Sequence, residues 1–338
     1  MKIVVTGGAG FIASHVVDRY LQLGHDVCVV DNLSRGSMTN LDPRATFYQG
    51  DILDREFIHD VLAREKPEVV NHHAAQIDVR RAVCEPSFDA SVNILGSLNL
   101  LEGAVLHKVR RFIFISTAGA IYGEPKKLPV PETHPANPIT PYGVSKHAAE
   151  HYLDTFSRLY GIASVVLRYG NVYGPRQNPR GEVGVFSLFC EQIMASIQPL
   201  IYGNGMKTRD YIYIEDVVRA NVAALDKGSG ETFNIASGIE TTDYQLFCVV
   251  RNLLGKSHVE PLFVSKRPGE IDKICLNISK ANRLLNWKPT VPLQDGASLT
   301  IKYIQEQSAT QPARTVGCSP GTNHPDPFRE SKRILGVR

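Results

Sequence analysis

The sequence predicts an α/β protein built on a doubly wound, Rossmann-type parallel sheet, with a smaller α/β substrate-binding lobe beside it. Three observations carry that expectation. Short β-branched runs alternate with longer amphipathic segments through the first half of the chain. The first run leads straight into a glycine-rich turn and then a helical pattern. At 338 residues the chain also exceeds the ~250–300 residues at which one hydrophobic core usually stops growing, so two lobes are expected.

Strands are expected at residues 3–6, 27–31, 69–71, 112–116 and 164–168, with a helix from the glycine turn to Leu23 between the first two. Two longer helices, near 88–107 and 141–160, carry apolar residues at three- and four-residue spacing. That pattern suits packing on the sheet and on a second copy, so a homodimer through these helices is expected. After Asn171 a Pro- and Gly-rich stretch, 174–181, is too irregular for a strand or helix and marks the cleft between lobes. Regular alternation returns around 210–235. The expected division is therefore 1–170 plus about 211–240 for the first lobe and about 171–210 plus 241–307 for the second. From 308 to 338 Gly, Pro, Ser and Thr dominate and the apolar period vanishes, so a mobile tail is expected.

Composition narrows the function class. Hydrophobic content of 43% and charged content of 21% are those of a packed globular protein. The net charge of +3 is scattered rather than gathered into a phosphate-neutralising stripe, which argues against a nucleic-acid partner. Six cysteines lie far apart with no CxxC pair, so no metal site is expected and a cytoplasmic setting fits them. No apolar run reaches the ~18–20 residues of a membrane span, and the chain runs directly into a strand pattern, so neither signal peptide nor anchor is expected.

The turn Gly7-Gly8-Ala9-Gly10-Phe11-Ile12-Ala13 follows the first strand and opens the first helix. Gly7 allows the tight turn, Gly10 lets a pyrophosphate approach the backbone, and small Ala13 lets helix pack on strand. The phosphates then face the free N–H groups and positive end of the helix. Asp31 closes the second strand about 20 residues on, where a carboxylate accepts both ribose hydroxyls and repels a 2′-phosphate, so NAD is favoured over NADP. Arg35 stands nearby as a group suited to that phosphate.

Thr140-Pro141 reads as a helix start, with Thr140 as N-cap and Pro141 in the first turn. Tyr142 and Lys146 follow at i, i+4 spacing, which puts phenol and ammonium on one face, the phenol near the positive helix end. Lowering a Tyr from ~10 to ~7 takes roughly 4 kcal/mol. One ammonium alone seldom supplies that, so a second positive group, such as an oxidised nicotinamide, is needed in a water-poor site. Taken alone, the same spacing also describes an ordinary surface pair. Ser116 and Thr117 end the strand at 112–116, where open parallel sheets present ligand-facing residues, and a hydroxyl there can hold a sugar hydroxyl.

Several stretches together carry a resemblance. They are VTGGAGFIASH (5–15), DNLSRG (31–36), GDI (50–52), HHAAQIDV (72–79), STAGAIYGE (116–124), PYGVSK (141–146), RYGNVYGPRQNP (168–179), GNGMKTRDYIYIEDV (203–217) and RPGEI (267–271). With them the chain resembles the extended short-chain dehydrogenase/reductase superfamily, and most closely the UDP-glucose 4-epimerases, from Lys2 to about Gln307.

The resemblance implies an NAD site lined by Gly7, Gly10, Phe11, Ile12, Asp31, Asn32, Ser34, Gly36, Asp51, Ile52, Ala74, Ala75, Gln76, Asn93 and Gly170, together with Tyr142 and Lys146. It implies a catalytic set of Thr117, Tyr142 and Lys146, with Ser116 an alternative to Thr117. For a UDP-sugar it implies Ser116, Thr117, Tyr142, Asn171, Val185, Tyr202, Arg209, Arg267 and Glu270, the two arginines clamping the diphosphate and Glu270 near the uridine ribose. Ile274 is the candidate for a residue that selects sugar size.

Nucleotide-sugar 4,6-dehydratases carry an Asp-Glu pair just after the Ser-Thr, whereas here those positions are Ala118 and Gly119. The resemblance then implies C4 epimerisation through a transient 4-keto sugar, with UDP-glucose/UDP-galactose as the first expected pair. Glucuronate, N-acetylhexosamine and pentose pairs are the alternatives. A dehydratase or decarboxylase, and an NAD-sensing regulator without chemistry, are the competing readings.

Overall fold

The computed structural model describes residues 1–178, 184–266 and 270–310. Six strands of the main sheet come from the first half: β1 (Lys2–Thr6), β2 (Asp26–Asp31), β3 (Thr46–Gln49), β4 (Val69–His72), β5 (Arg111–Thr117) and β6 (Ala163–Tyr169). After β7 (Asn171–Tyr173), β8 (Leu200–Tyr202), β9 (Thr208–Arg209) and β10 (Tyr211–Tyr213), the chain returns with β11 (Glu231–Ile235). The seven-stranded sheet runs β11-β6-β5-β4-β1-β2-β3, parallel throughout. Strand order reverses on either side of β1, and the carboxyl ends of β1 and β4 open the crevice where such sheets bind ligands.

Successive side chains of a strand point to opposite faces, and the core divides accordingly. Ile3, Val5, Val27 and Val29 pack on one face with Val16, Val17 and Tyr20 of α1 (Phe11–Gln22). Val4, Cys28, Val30, Phe112 and Phe114 pack on the other, against Ile58 and Leu62 of the helix α2 (Arg55–Glu65). This is a doubly wound α/β fold. The strands expected from sequence are present within one or two residues of their expected limits. β3 is an addition: in Thr-Phe-Tyr-Gln only Thr46 is β-branched, and pairing with β2 decides its conformation.

The helix expected near 88–107 is real but not uniform. After α3 (Val79–Cys84), α4 (Pro86–Ala90) runs into a π turn at Ser91–Leu95 and then α5 (Gly96–Leu106). A short α6 (Gly119–Tyr122) follows β5. The helix expected at 141–160 is α7 (Pro141–Tyr160), and Thr140 Oγ1 accepts the Gly143 N–H at 3.3 Å as its cap.

The remaining elements are α8 (Val185–Met194), α9 (Ile214–Ala224), β12 (Thr241–Thr242), α10 (Asp243–Leu253), β13 (Leu262–Val264), α11 (Ser279–Leu285) and α12 (Leu293–Thr310). Three two-stranded pairs, β7 with β10, β8 with β13 and β9 with β12, carry this half. Phe186, Phe189 and Phe247 there share one continuous core with β1, α1 and α9. The last helix continues through 308–310; the rest of the expected tail, 311–338, lies outside the described residues. Among the described residues no helix is long and apolar enough to cross a membrane.

Candidate active site

The glycine turn sits at the crevice. Gly7 adopts φ +70°, donates to Val30 O at 2.7 Å, and stands so close to β4 that a Cβ would lie 2.8 Å from Ala74 N. Gly10 is the N-cap of α1 in an extended conformation, and no side chain caps that helix. The first-turn N–H groups of α1 are therefore left for an outside acceptor, as a pyrophosphate site requires. Phe11 is buried and Ile12 half-buried behind the turn.

Asp31 ends β2 beside this turn. Its Oδ2 accepts Ala9 N at 3.0 Å and its Oδ1 accepts Leu33 N at 2.8 Å. Burial pushes the carboxyl up, and these two bonds oppose the shift. Gly36 closes on it, since a Cβ there would lie 3.0 Å from Asp31 Oδ2. Asn32 donates to Asp51 Oδ2 at 2.8 Å and accepts the Ser34 N–H, so Asn32, Ser34 and Asp51 form one rim. Arg35, the group suited to a 2′-phosphate, has Nη2 3.4 Å from Asp78 Oδ2. Ile52 is buried against Gly96, and Ala74 donates its N–H to Thr6 Oγ1, while Ala75 is half-buried beside it. The residues present fit a dinucleotide: a turn with no room for a Cβ at Gly7, a helix N-terminus without a side-chain cap, and the Asp31 carboxylate beside it.

Tyr142 lies half-buried in the first turn of α7, and Lys146 one turn on is buried, with Nζ 4.2 Å from the centre of the Phe114 ring. Burial brings the Lys146 ammonium down to about 8, and the carboxylates of Glu150 and Asp89 oppose a further fall. The neighbouring imidazoles respond to the same environment: His72 and His73 are pushed down first by burial and then by the Lys146 charge. Ser116 and Thr117 close β5. Ser116 is buried and its Oγ makes no hydrogen bond of ordinary geometry, although it lies close enough to Glu150 to help hold that carboxyl down. Thr117 is half-buried and more accessible than Ser116.

A buried polar network locks this arrangement, and most of it escapes a reading of the sequence. Asn93, in the π turn, accepts the Gln76 N–H at 2.9 Å and donates back to Gln76 O at 3.0 Å. It also donates to Ser145 Oγ at 3.0 Å, and Ser145 donates to Asp89 Oδ2 at 2.5 Å. Asp89 Oδ1 accepts the Gln76 side chain at 2.9 Å. Asp89 and Ser145 are members of this network that the sequence reading missed; the signals were Ser145 adjoining Lys146 and the i, i+4 spacing of Asp89 and Asn93.

The expected substrate residues sit on the later segments. Gly170 donates to Ile235 O, and Asn171, exposed, donates its backbone N–H to Asp210 O at 2.7 Å. Val185 opens α8 half-buried against the core, Tyr202 ends β8 and Arg209 ends β9 with Nη1 on Thr208 O at 2.7 Å. Glu270 accepts Lys207 Nζ at 2.6 Å. Arg267 lies outside the described residues. The segment from Glu270 crosses above the loop that follows Thr117: Asp272 N donates to Glu124 Oε2 at 2.7 Å, and Ile271 Cδ1 lies 3.5 Å from where a Gly119 Cβ would stand. Ile274 is 2% exposed, in a small core with Ala118, Tyr122 and Val130 just past Thr117.

Known proteins resemble this chain over most of its length. A putative UDP-glucose 4-epimerase of Methanocaldococcus jannaschii is 42% identical over 91% of this chain and 100% of its own. A crystal structure of a Thermotoga maritima UDP-glucose 4-epimerase with UDP-glucose is similar at 47% identity and a TM-score of 0.90, covering 91% of this chain and 100% of that one. A Thermus thermophilus UDP-glucose 4-epimerase in complex with NAD is 37% identical with a TM-score of 0.85, covering 90% and 99%. Residues 3–236 match the NAD dependent epimerase/dehydratase family, and the chain belongs to that family.

Proposed function

We propose that this protein is an isomerase, an NAD-dependent UDP-sugar 4-epimerase, and that UDP-glucose and UDP-galactose are the pair it interconverts. The observation that carries the reading is the buried Lys146 ammonium one turn from Tyr142, beside a strand end that offers hydroxyls from Ser116 and Thr117 and no carboxylate at Ala118 or Gly119.

The C4 hydrogen of a pyranose is neither anomeric nor next to a carbonyl, so inversion there requires transient oxidation. NAD, when bound, takes up the C4 hydride and returns it to the opposite face, leaving no net redox change. Tyr142 Oη removes the proton of the 4-hydroxyl as the 4-keto sugar forms, and gives it back on reduction. Thr117 Oγ1 orients that hydroxyl, with Ser116 behind it. Lys146 keeps the Tyr142 oxygen anionic and donates to the nicotinamide ribose; its low-dielectric setting strengthens both contacts. Gly7, Gly10 and the α1 N-terminus hold the pyrophosphate, Asp31 the adenosine ribose, and Asn32, Asp51 and Ile52 the adenine side of the cofactor, with Gln76 lining the same site. Arg209 and Arg267 clamp the substrate diphosphate, Tyr202 meets the base and Glu270 the uridine ribose, while Asn171 and Val185 flank them. The ketone turns about its diphosphate link while these contacts keep the nucleotide in place.

A homodimer through 88–107 and 141–160 belongs to the same proposal. Leu95 and Leu106 on the first segment and Val144 and Leu159 on α7 are each more than half exposed, an apolar surface that a second copy would cover. Light scattering at a dimer mass, reduced to a monomer mass by Leu159→Glu, is the expected result. The wide spacing of the six cysteines, with no CxxC pair, fits a cytoplasmic setting.

The decisive experiment is incubation with UDP-glucose, UDP-N-acetylglucosamine, UDP-glucuronate and UDP-xylose, followed by proton NMR. Conversion of UDP-glucose to UDP-galactose is expected. A 4-keto-6-deoxy product would make the protein a dehydratase, and no turnover of any UDP-sugar by NAD-loaded protein would remove the reading.

A further inference from the structure

We propose that Asp210 is a positioning residue for nucleotide binding: its buried carboxylate ties the strand end bearing Arg209, and Asn171 beside it, to the segment that carries Glu270. The inference deepens the reading of the protein as a UDP-sugar enzyme and rests on it.

Asp210 is completely buried between β9 and β10. Its Oδ1 accepts Ser237 N at 2.8 Å and Ser237 Oγ at 2.6 Å. Its Oδ2 accepts Gly238 N at 3.1 Å and Leu276 N at 3.0 Å. Its carbonyl accepts Asn171 N at 2.7 Å, and the approach is so close that a Cβ on Gly170 would lie 2.8 Å from that oxygen. One residue thus joins three pieces of backbone from separate parts of the sequence, where the strands are too short to join themselves.

Two of the joined pieces lead to proposed substrate contacts, and Asp210 itself adjoins a third. Arg209 is the preceding residue. Asn171 follows Gly170 at the end of β6. Leu276 lies six positions after Glu270, and that segment is held at two further points, by Val130 N on Cys275 O at 2.7 Å and by Thr208 N on Asp272 O at 2.9 Å. None of these contacts touches Thr117, Tyr142 or Lys146.

The chemistry explains why a carboxylate stands here. All four donors are neutral, so the charge is solvated by N–H and O–H dipoles alone. Burial accordingly pushes the carboxyl up to about 6, and the four bonds oppose that rise. An amide in its place offers one acceptor oxygen and turns two N–H donors toward backbone N–H groups, so at least one of the tied segments is released.

The test is Asp210→Asn in the full chain, comparing turnover of UDP-glucose, binding of UDP by calorimetry, bound NAD and melting temperature. The expected result is a KM for UDP-glucose and a Kd for UDP each raised by about 10-fold or more, with kcat within about 3-fold of wild type and NAD retained. A residue that only stabilised the fold would lower melting temperature and NAD content without that split. Ser237→Ala removes the 2.6 Å hydroxyl bond to Asp210, together with the 3.2 Å bond that Ser237 Oγ accepts from Ile239 N, and should raise the same two constants by about 3-fold. A folded, NAD-loaded Asp210→Asn protein whose UDP affinity stays within about 2-fold of wild type overturns the proposal, as does loss of kcat at unchanged KM. If Asp210→Asn does not fold, unchanged constants in Ser237→Ala overturn it instead. Failure of wild type to bind UDP would count against the proposed function itself.

Discussion

Arg168 holds Glu150 with two parallel bonds, from Nε at 2.9 Å and Nη2 at 2.5 Å to separate carboxylate oxygens, one turn past Lys146 on α7. Its Nη1 donates to the Tyr122 hydroxyl at 2.9 Å, which donates to Asn234 Oδ1 at 2.8 Å, so the pair locks α7 to β6 and β11. Burial alone would push the Glu150 carboxyl up, but Arg168, with help from His147 and Ser116, outweighs it and brings the group down to about 2. Because the folded value lies below the ordinary one, this stabilisation is present in full above about 4.5 and is lost as pH falls toward about 2. Glu150→Gln leaves a buried guanidinium without its counter-charge and should destabilise by about 3–5 kcal/mol. Urea unfolding from pH 7 to pH 3 should show wild type converging on the variant; parallel curves would refute the assignment.

Lys146 carries the second prediction. The groups that face it are Glu150 on its own helix, Asp89 on α4, the imidazoles of His72 at the end of β4 and His73 just after it, and the Phe114 ring on β5. Its folded value of about 8 lies below 10.5, so its burial weakens the fold at neutral pH and stability recovers as pH rises from about 8 toward 10.5. Turnover runs the other way, since loss of the ammonium removes support for the Tyr142 anion. Asp89→Asn deletes one of the two carboxylates that keep Lys146 charged, and the alkaline limb of the kcat profile should move to lower pH. An unmoved limb would separate Asp89 from the mechanism.

Tyr142→Phe should lower kcat by about 10²–10⁴-fold while bound NAD and UDP affinity stay near wild type. Single-turnover reduction of bound NAD by UDP-glucose, followed at the nicotinamide absorbance, is the direct measurement. Normal reduction in the variant would take the phenol out of proton transfer.

Gly7→Ala tests the cofactor cradle. A Cβ there would meet Ala74 N at 2.8 Å and Ala74 Cα at 2.9 Å, both backbone, and φ +70° is strained for any other residue. A loss of about 1–3 kcal/mol in stability and a fall in copurified NAD are expected. Full NAD occupancy at unchanged melting temperature would show that the turn has room to spare.

Local features were legible without coordinates. The chain itself determined the glycine turn and its positive-φ Gly7, the alternation of strands and helices, and α7 with its Thr140 cap and Pro141, because propensity, capping and periodicity act between residues a few positions apart. The same short range set Tyr142 and Lys146 on one face. What tertiary structure alone decided was the environment of those groups. Asn93 reaches Ser145 across 52 positions, Tyr122 reaches Asn234 across 112, and the π turn that presents Asn93 interrupts a stretch that reads as uniform helix. Asp210 carries no local signal in the sequence yet collects four buried donors. Burial and hydrogen-bond partnership set the charge state and placement of these side chains, and both arise only when distant segments pack.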